Sequence, residues 1–304
     1  MKIAVIGAGA LGLMFGARLS QDNEVYLLDV NPTMVKAINE KGVTYEDALT
    51  GEKSLYHPHA YLNGTLDIRP DVVFVLVKTN YTEDSLKGNR NLIDGKTYFV
   101  TLQNGLGNEE KLSKFIDEDH LILGVTRNNS NRLDLTTVKR ANHGMTTLGF
   151  NEKNQDFAEE LAQVMSAASF ETALDSDIRR VVWSKLFLNL CSNPICAYYN
   201  ISIGEAEANP EIWEKGEHII REAVAVAEKD GVHFDADKTV KSVKQFMHGL
   251  YDGHPSMWQD AMHKRKTEIM TMNGAVAALG KKYGIPTPYN DWIVSKIQEM
   301  ESKF

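Results

Sequence analysis

A short apolar run, Ile3-Ala4-Val5-Ile6, breaks at Gly7-Ala8-Gly9-Ala10-Leu11-Gly12, after which Leu13, Met14, Ala17 and Leu19 recur at roughly helical spacing. This reads as strand, tight turn, helix. A second apolar run, Val25-Tyr26-Leu27-Leu28, ends at Asp29 and completes a βαβ unit of about thirty residues. A GxGxxG pattern between two strands has a steric purpose. Gly7 permits the turn, Gly9 omits a Cβ that would block a pyrophosphate, and Gly12 lets the helix sit close to the strand. The helix N-terminus then offers free N–H groups and a positive dipole end. Gly7, Ala8, Gly9, Ala10, Leu11 and Gly12 are therefore candidate cofactor residues of a dinucleotide fold.

Asp29 stands where a carboxylate can accept hydrogen bonds from the adenosine ribose hydroxyls. A 2′-phosphate there would meet like charge. Val30-Asn31-Pro32-Thr33 supply no base to pair with such a phosphate, the nearest being Lys36, so NAD(H) is favoured and NADP(H) is the alternative. Asp29 can at the same time cap the helix that opens at Pro32.

The alternation continues with Asp71-Val72-Val73-Phe74-Val75-Leu76-Val77, Thr97-Tyr98-Phe99-Val100-Thr101 and Leu121-Ile122-Leu123-Gly124-Val125. Buried parallel strands have this composition. Lys78 and the Gln103-Asn104-Gly105 turn follow such strands, at the edge where open α/β sheets bind ligands, though either can be a plain turn former. Between Arg127 and Met145 the chain is polar and loses clear periodicity. Thr146–Phe150 reads as a strand, a helix runs from about Asp156 to Ala168, and Glu171–Leu174 closes the sheet. The capping cluster Asp175-Ser176-Asp177 marks a new domain. The expected architecture is an α/β Rossmann-type N-terminal domain with a mostly parallel sheet, residues 1–175, and an all-helical C-terminal domain, residues 176–304.

Helices are expected from Ile178 to Tyr199, Pro210 to Lys229, Asp237 to Met247, Trp258 to Tyr283 and Asp291 to Lys303. In the first, Lys185, Asn189 and Asn193 recur four residues apart and share a stripe spanning about 80°. Their companions are Trp183, Leu186, Phe187 and Leu190 rather than charges, so the stripe reads as a binding face, with a solvated face as the alternative. Ser256 opens the longest of these helices as an N-cap or a ligand, and the same helix carries Glu268.

Charge and composition exclude other classes. Thirty-three basic against 41 acidic residues give a net charge of −8, the wrong sign for a nucleic-acid partner. No stretch approaches the roughly 18 apolar residues of a membrane span. The opening strand leaves no room for a cleavable apolar segment, so a cytoplasmic protein is expected. Cys191 and Cys196 would diverge by about 140° on one helix and read as small buried residues. No CxxC or HExxH pattern offers a metal site, and none is expected.

In combination these segments resemble the ketopantoate reductase (2-dehydropantoate 2-reductase) family over essentially the whole chain. The matching residues are Gly7 to Gly12, Val77-Lys78-Thr79, Gln103-Asn104-Gly105-Leu106-Gly107-Asn108-Glu109-Glu110, Trp183 to Asn189 with Asn193-Pro194, Ser256 to Asp260, and Thr267-Glu268-Ile269 with Asn273-Gly274. The resemblance implies hydride transfer from a nicotinamide to C2 of a small-molecule 2-keto acid, with Lys185 and Glu268 as catalytic residues. Lys185 matches the family's lysine that binds the carbonyl oxygen and supplies its proton. Glu268 matches the motif glutamate, which orients the lysine or accepts a substrate hydroxyl. Asn104, Asn189, Asn193 and Ser256 are implied to hold the substrate, and Lys78 and Asn104 to lie where nicotinamide and substrate meet.

Two departures from the family pattern bear on specificity. Ketopantoate reductases usually prefer NADPH and place a base after the second strand, where this chain has Asp29. The stretch from Cys196 to Ile203 is also more aromatic and apolar than usual. Members that use NADH act as D-2-hydroxyacid dehydrogenases on branched or aromatic 2-keto acids, and this chain is more similar to them. A ketopantoate reductase is the alternative. An NAD-binding sensor without turnover, and a 6-phosphogluconate or 3-hydroxyacyl-CoA type of dehydrogenase, fit less well: Lys185 and Glu268 are intact, and no histidine near the motifs has a paired glutamate. A homodimer through the helical domain is the assembly expected.

Overall fold

The computed structural model describes all 304 residues, Met1 to Phe304. They form two compact units: Met1–Gln103 with Asn108–Ile178, and Asn104–Gly107 with Arg179–Phe304. No helix is long and apolar enough to cross a membrane.

In chain order the first unit contains β1 (Lys2–Ile6), α1 (Ala10–Leu19), β2 (Glu24–Asp29), α2 (Pro32–Lys41), β3 (Val43–Asp47), β4 (Lys53–Tyr56), β5 (His59–Leu62), β6 (Val72–Val75), α3 (Thr82–Gly88) and β7 (Tyr98–Thr101). It continues with α4 (Asn108–Leu112), β8 (Leu121–Thr126), β9 (Ser130–Arg132), β10 (Thr137–Arg140), β11 (Thr146–Gly149), α5 (Gln155–Ala167) and β12 (Thr172–Asp175). Eight strands make one sheet in the order β12-β11-β8-β7-β6-β1-β2-β5. Every neighbouring pair is parallel except β8 with β11. Ile3, Val5, Leu27 and Phe74 join one core cluster, while Ala4, Ile6, Leu28 and Val75 join another. Alternate side chains thus fill both faces, which is why these strands read as unbroken apolar runs. The order turns back at β1, whose neighbours are β2 and β6, and open α/β sheets of this kind take ligands beyond the end of the strand at such a reversal.

A second, four-stranded sheet, β4-β3-β10-β9, covers α1. Two of its strands occupy the stretch from Arg127 to Met145, which shows no periodicity in the sequence. The reason is local: β9 is three residues long with a half-exposed-to-exposed pattern, and only Val138 and Arg140 of β10 are buried. Arg18, at the end of α1, donates to Glu52 and Tyr56 of this layer and to Ser169 Oγ at 2.6–3.0 Å.

The second unit is helical: α6 (Ile178–Tyr199), α7 (Ile203–Ala208), α8 (Pro210–Lys229), α9 (Ala236–Gly249), α10 (Ser256–Met262), α11 (Asn273–Tyr283) and α12 (Pro288–Glu301). Apolar residues surround α6, as expected for a helix at the centre of a bundle. Cys191 and Cys196 lie on it as free, buried thiols, and burial pushes Cys196 up to about 12. The carboxylate of Asp230, which follows α8, accepts from Arg179 Nη2 at 2.7 Å, Trp183 Nε1 at 3.0 Å and Tyr283 Oη at 2.9 Å, joining α6, α8 and α11.

Two features of this unit differ from the sequence expectation: α7 is an additional helix, and one expected helix is broken. The single helix from Trp258 to Tyr283 is instead α10, an irregular segment with a 3-10 turn at Ile269–Thr271, and α11. Lys264 takes a left-handed φ of 52°, and the N–H of Arg265 folds back to the Asp260 carbonyl at 2.9 Å, which ends α10. Thr267 then anchors to Glu301 through both its N–H and its hydroxyl. Glu268 therefore sits on a turn rather than a helix face.

Candidate active site

The glycine turn follows β1. Gly7 has φ +103°, and a Cβ there would lie 2.9 Å from Val77 Cγ1 and N, so this position requires glycine. A Cβ at Gly12 would stand 1.9 Å from the Gly7 carbonyl oxygen, which measures how closely α1 approaches the turn. A Cβ at Gly9 meets no atom within 4 Å: the space beside the turn is open. Gly9 is also the N-cap of α1 and offers no side chain to its first N–H groups. Ala8, Ala10 and Leu11 complete the turn and the first residues of α1.

Asp29 ends β2 beside this turn. Its Oδ2 accepts the Ala8 N–H at 2.9 Å and its Oδ1 accepts the Asn31 N–H at 2.9 Å. The helix at Pro32 is capped by Asn31, whose Oδ1 accepts from Thr33 and Met34, and not by Asp29. A carboxylate has about four lone-pair sites, so two remain for other donors. Lys78 is half-buried after β6 and precedes a 3-10 turn at Thr79–Tyr81. Gln103 links two strand ends: its Nε2 donates to the Val77 carbonyl at 2.6 Å and to Thr82 Oγ1 at 3.0 Å.

In the helical unit, Lys185 Nζ donates to Asn104 Oδ1 at 2.6 Å. The turn that carries Asn104 is pinned by its neighbours. Leu106 donates its N–H to the Thr271 carbonyl at 2.8 Å, and Gly105, at φ +87°, has no room for a Cβ, which would sit 2.2 Å from the same oxygen. Thr271 in turn donates its N–H and hydroxyl to the Glu268 carbonyl at 3.0 and 3.1 Å. Thr271 thus ties the Glu268 backbone to the Asn104 turn. No sequence pattern singles it out, since it meets the Asn104 turn through its backbone carbonyl.

Two turns further along α6, Asn193 is buried, with Oδ1 accepting from Ser256 Oγ at 3.2 Å and from the Met257 N–H at 3.1 Å. This excludes a solvated face for that end of the stripe. It also corrects the capping expectation: Pro255 occupies the N-cap of α10, and the side-chain acceptor for the Met257 N–H in its first turn is Asn193 rather than Ser256. Asn189 is half-buried between the Lys185 and Asn193 positions. The structure therefore pairs Lys185 with Asn104 and Asn193 with Ser256 in one unit, and gathers the glycine turn, Asp29 and Lys78 in the other. An ammonium fixed on an amide oxygen is a donor of defined direction, suited to hold and protonate an oxygen.

A glycine-turn sheet unit and a helical unit bearing a directed lysine define a class of two-domain oxidoreductases. Residues 3–153 match the family Ketopantoate reductase PanE/ApbA, and residues 177–301 match Ketopantoate reductase PanE/ApbA C terminal. This chain belongs to the ketopantoate reductase family. A 2-dehydropantoate 2-reductase of Pyrococcus abyssi is 28% identical over 95% of this chain and 94% of its own. One of Lactococcus lactis is 28% identical over 99% of this chain and 98% of its own. Among solved structures, D-mandelate dehydrogenase with NADH and anilino(oxo)acetate superposes with a TM-score of 0.93 at 27% identity, covering 100% of this chain and 99% of that one.

Proposed function

We propose that this oxidoreductase uses NAD(H) to interconvert bulky, branched or aromatic, 2-keto acids and D-2-hydroxy acids. The observation that carries the proposal is the Asp29 carboxylate, fixed against the glycine turn by the Ala8 N–H at 2.9 Å. It leaves acceptors for ribose hydroxyls and sets a negative charge where a 2′-phosphate would go. The open space at Gly9, at the N-terminus of α1, fits a pyrophosphate. D-mandelate dehydrogenase, solved with NADH, is a structural neighbour consistent with this choice.

When bound, the nicotinamide supplies the hydride that adds to C2. Lys185 hydrogen-bonds the C2 oxygen and delivers the proton that makes it a hydroxyl, while its charge offsets the negative charge developing there. Asn104 orients the lysine. Asn189, Asn193 and Ser256 hold the polar groups of the substrate, Lys78 contacts the cofactor, and Glu268 directs Lys185 or accepts a substrate hydroxyl. A second reading is reduction of ketopantoate with NADPH, whose substrate is the one in the names of the relatives in Pyrococcus and Lactococcus.

A steady-state assay of reduced-nicotinamide absorbance separates the two, pairing NADH and NADPH each with ketopantoate, 2-ketoisocaproate and phenylglyoxylate. Preference for NADH with the bulky acids supports the first reading; preference for NADPH with ketopantoate overturns it. Asp29→Ala is expected to raise the NADPH-to-NADH ratio of kcat/KM by about tenfold, since removing one charge near another relieves on the order of 1–2 kcal/mol of repulsion. An unchanged ratio would remove Asp29 from the ribose site.

The glycine turn gives a paired prediction. Gly9→Ala is expected to melt at the wild-type temperature, because its methyl meets no atom within 4 Å, yet to bind NADH about tenfold more weakly in a calorimetric titration. Gly12→Ala is expected to lower the melting temperature itself, because its methyl would stand 1.9 Å from the Gly7 oxygen. Equal NADH affinity in Gly9→Ala would show that no phosphate approaches that Cα.

A further inference from the structure

Pro194 lies inside α6, where it has no N–H to give and its ring crowds the carbonyl four residues back, that of Leu190. That carbonyl is met from another helix: Asn273, the first residue of α11, donates Nδ2 to Leu190 O at 3.1 Å. We infer that Asn273 is a positioning residue for the reaction, its side-chain amide standing in for the N–H that Pro194 lacks and holding the Lys185 and Asn193 ends of α6 in register. The inference rests on the proposal that this stripe of α6 meets the substrate.

The amide is itself held in place. Its Nδ2 also donates to Asn290 Oδ1 at 3.0 Å, and Asn290 Nδ2 donates to the Ile219 carbonyl at 3.2 Å and to Glu222 Oε2 at 2.8 Å. Glu222 further accepts the N–H groups of Tyr289 and Asn290 at the start of α12. Both Asn273 and Asn290 are fully buried. Because the two acceptors facing Asn273 are oxygens, only its NH2 end can face them, and its Oδ1 is left buried with no hydrogen-bond partner. An unpaired buried acceptor costs stability that a leucine of similar size would not. What the asparagine supplies in return is a donor at the one carbonyl the proline orphans.

The break falls in the turn that matters for the stripe. Leu190 follows Asn189, and the turn from Leu190 to Pro194 contains Asn193, whose Oδ1 must meet Ser256 Oγ and the Met257 N–H at 3.2 and 3.1 Å. Lys185, on the other side of the break, must meet Asn104 at 2.6 Å. With the Leu190 carbonyl unsupported, the two halves of α6 are free to bend about the proline, and the spacing between the proton donor and the substrate amides is lost.

A double-mutant cycle tests this, with Asn273→Leu, Pro194→Ala, and both together, each measured for urea midpoint, NADH dissociation constant and keto-acid kinetics. Asn273→Leu is expected to lower kcat/KM for the 2-keto acid by about tenfold while NADH affinity stays within about twofold. Pro194→Ala restores a backbone N–H for Leu190, so in that background Asn273→Leu is expected to cost less than about threefold in kcat/KM and to lower the urea midpoint by less than half as much. Equal losses in the two backgrounds would show that Asn273 only fills space and would overturn the inference. So would coupling in stability with unaltered keto-acid kinetics. Should Asn273→Leu fail to fold alone, folding of the double variant supports the inference and its failure to fold overturns it. A wild type inactive on every 2-keto acid refutes the proposed function instead, and the stability cycle then decides by itself whether one donor replaces the other.

Discussion

Replacing Lys185 by alanine is expected to lower kcat for 2-keto acid reduction by roughly 10²- to 10⁴-fold, the range for loss of a positioned proton donor. NADH affinity should hold, because the groups proposed to bind the dinucleotide lie in the glycine turn and at Asp29. The expected size follows from the 2.6 Å bond to Asn104, which aims the ammonium before substrate arrives. Lys185→Arg keeps the charge but replaces a compact donor by a planar fork, so it should recover little activity. Asn104→Ala leaves the donor present but undirected and should cost less than Lys185→Ala. The informative result is the split between steps: a variant that loses NADH binding in proportion to kcat would mean that Lys185 serves the cofactor and not the carbonyl oxygen.

The second large effect is on stability. Asp230→Ala is expected to destabilise the helical unit by about 3–5 kcal/mol, as measured by urea unfolding, because it takes the acceptor from the buried Trp183 N–H and removes one hydrogen-bond partner each from Tyr283 and Arg179. The Asp230 side chain is only 2% exposed. Burial works against its charge, but the hydrogen bonds from Arg179, Trp183 and Tyr283 outweigh burial and hold the carboxyl below its ordinary value of 3.8. Its folded value lies beneath its unfolded one, so the contribution is complete at neutral pH, fades as pH falls below about 3.8, and is gone once pH passes the depressed value. Wild type and Asp230→Asn should therefore converge in stability in strong acid. A constant gap between them across that range would assign the effect to packing alone.

Much of this architecture is legible in the sequence, and the physical reasons differ by element. The strands of the large sheet are buried on both faces, so they announce themselves as apolar runs, and β1, with its glycine turn, can be read almost residue by residue. The helix from Pro210 to Lys229 is marked at its start by Asn209 and the following proline. The small sheet is not legible, because β9 and β10 are short and half-exposed, and β3, the strand that joins this hairpin to β4, lies far off in sequence. The stretch from His263 to Glu268 consists of residues acceptable to a helix. What breaks it is the left-handed turn at Lys264, which no glycine announces, and the Thr267 bonds to Glu301 then hold the chain off the helix. In the candidate site, the spacing of Lys185, Asn189 and Asn193 shows a shared face, but not that Asn193 is turned to the start of α10. That orientation is set by the Met257 N–H, a tertiary donor that helical spacing does not encode.

The tetrapeptide Asn104–Gly107 belongs with the helical unit although the sheet unit flanks it on both sides in the chain. A fragment that begins at Arg179 would leave the Thr271 carbonyl without the Leu106 N–H and the Lys185 ammonium without the Asn104 oxygen. The helical unit is consequently not a transferable module. Grafted behind a different nucleotide-binding domain it would arrive incomplete, and a working chimaera must carry the four-residue loop along with the bundle, inherited from the parent whose lysine it is meant to aim.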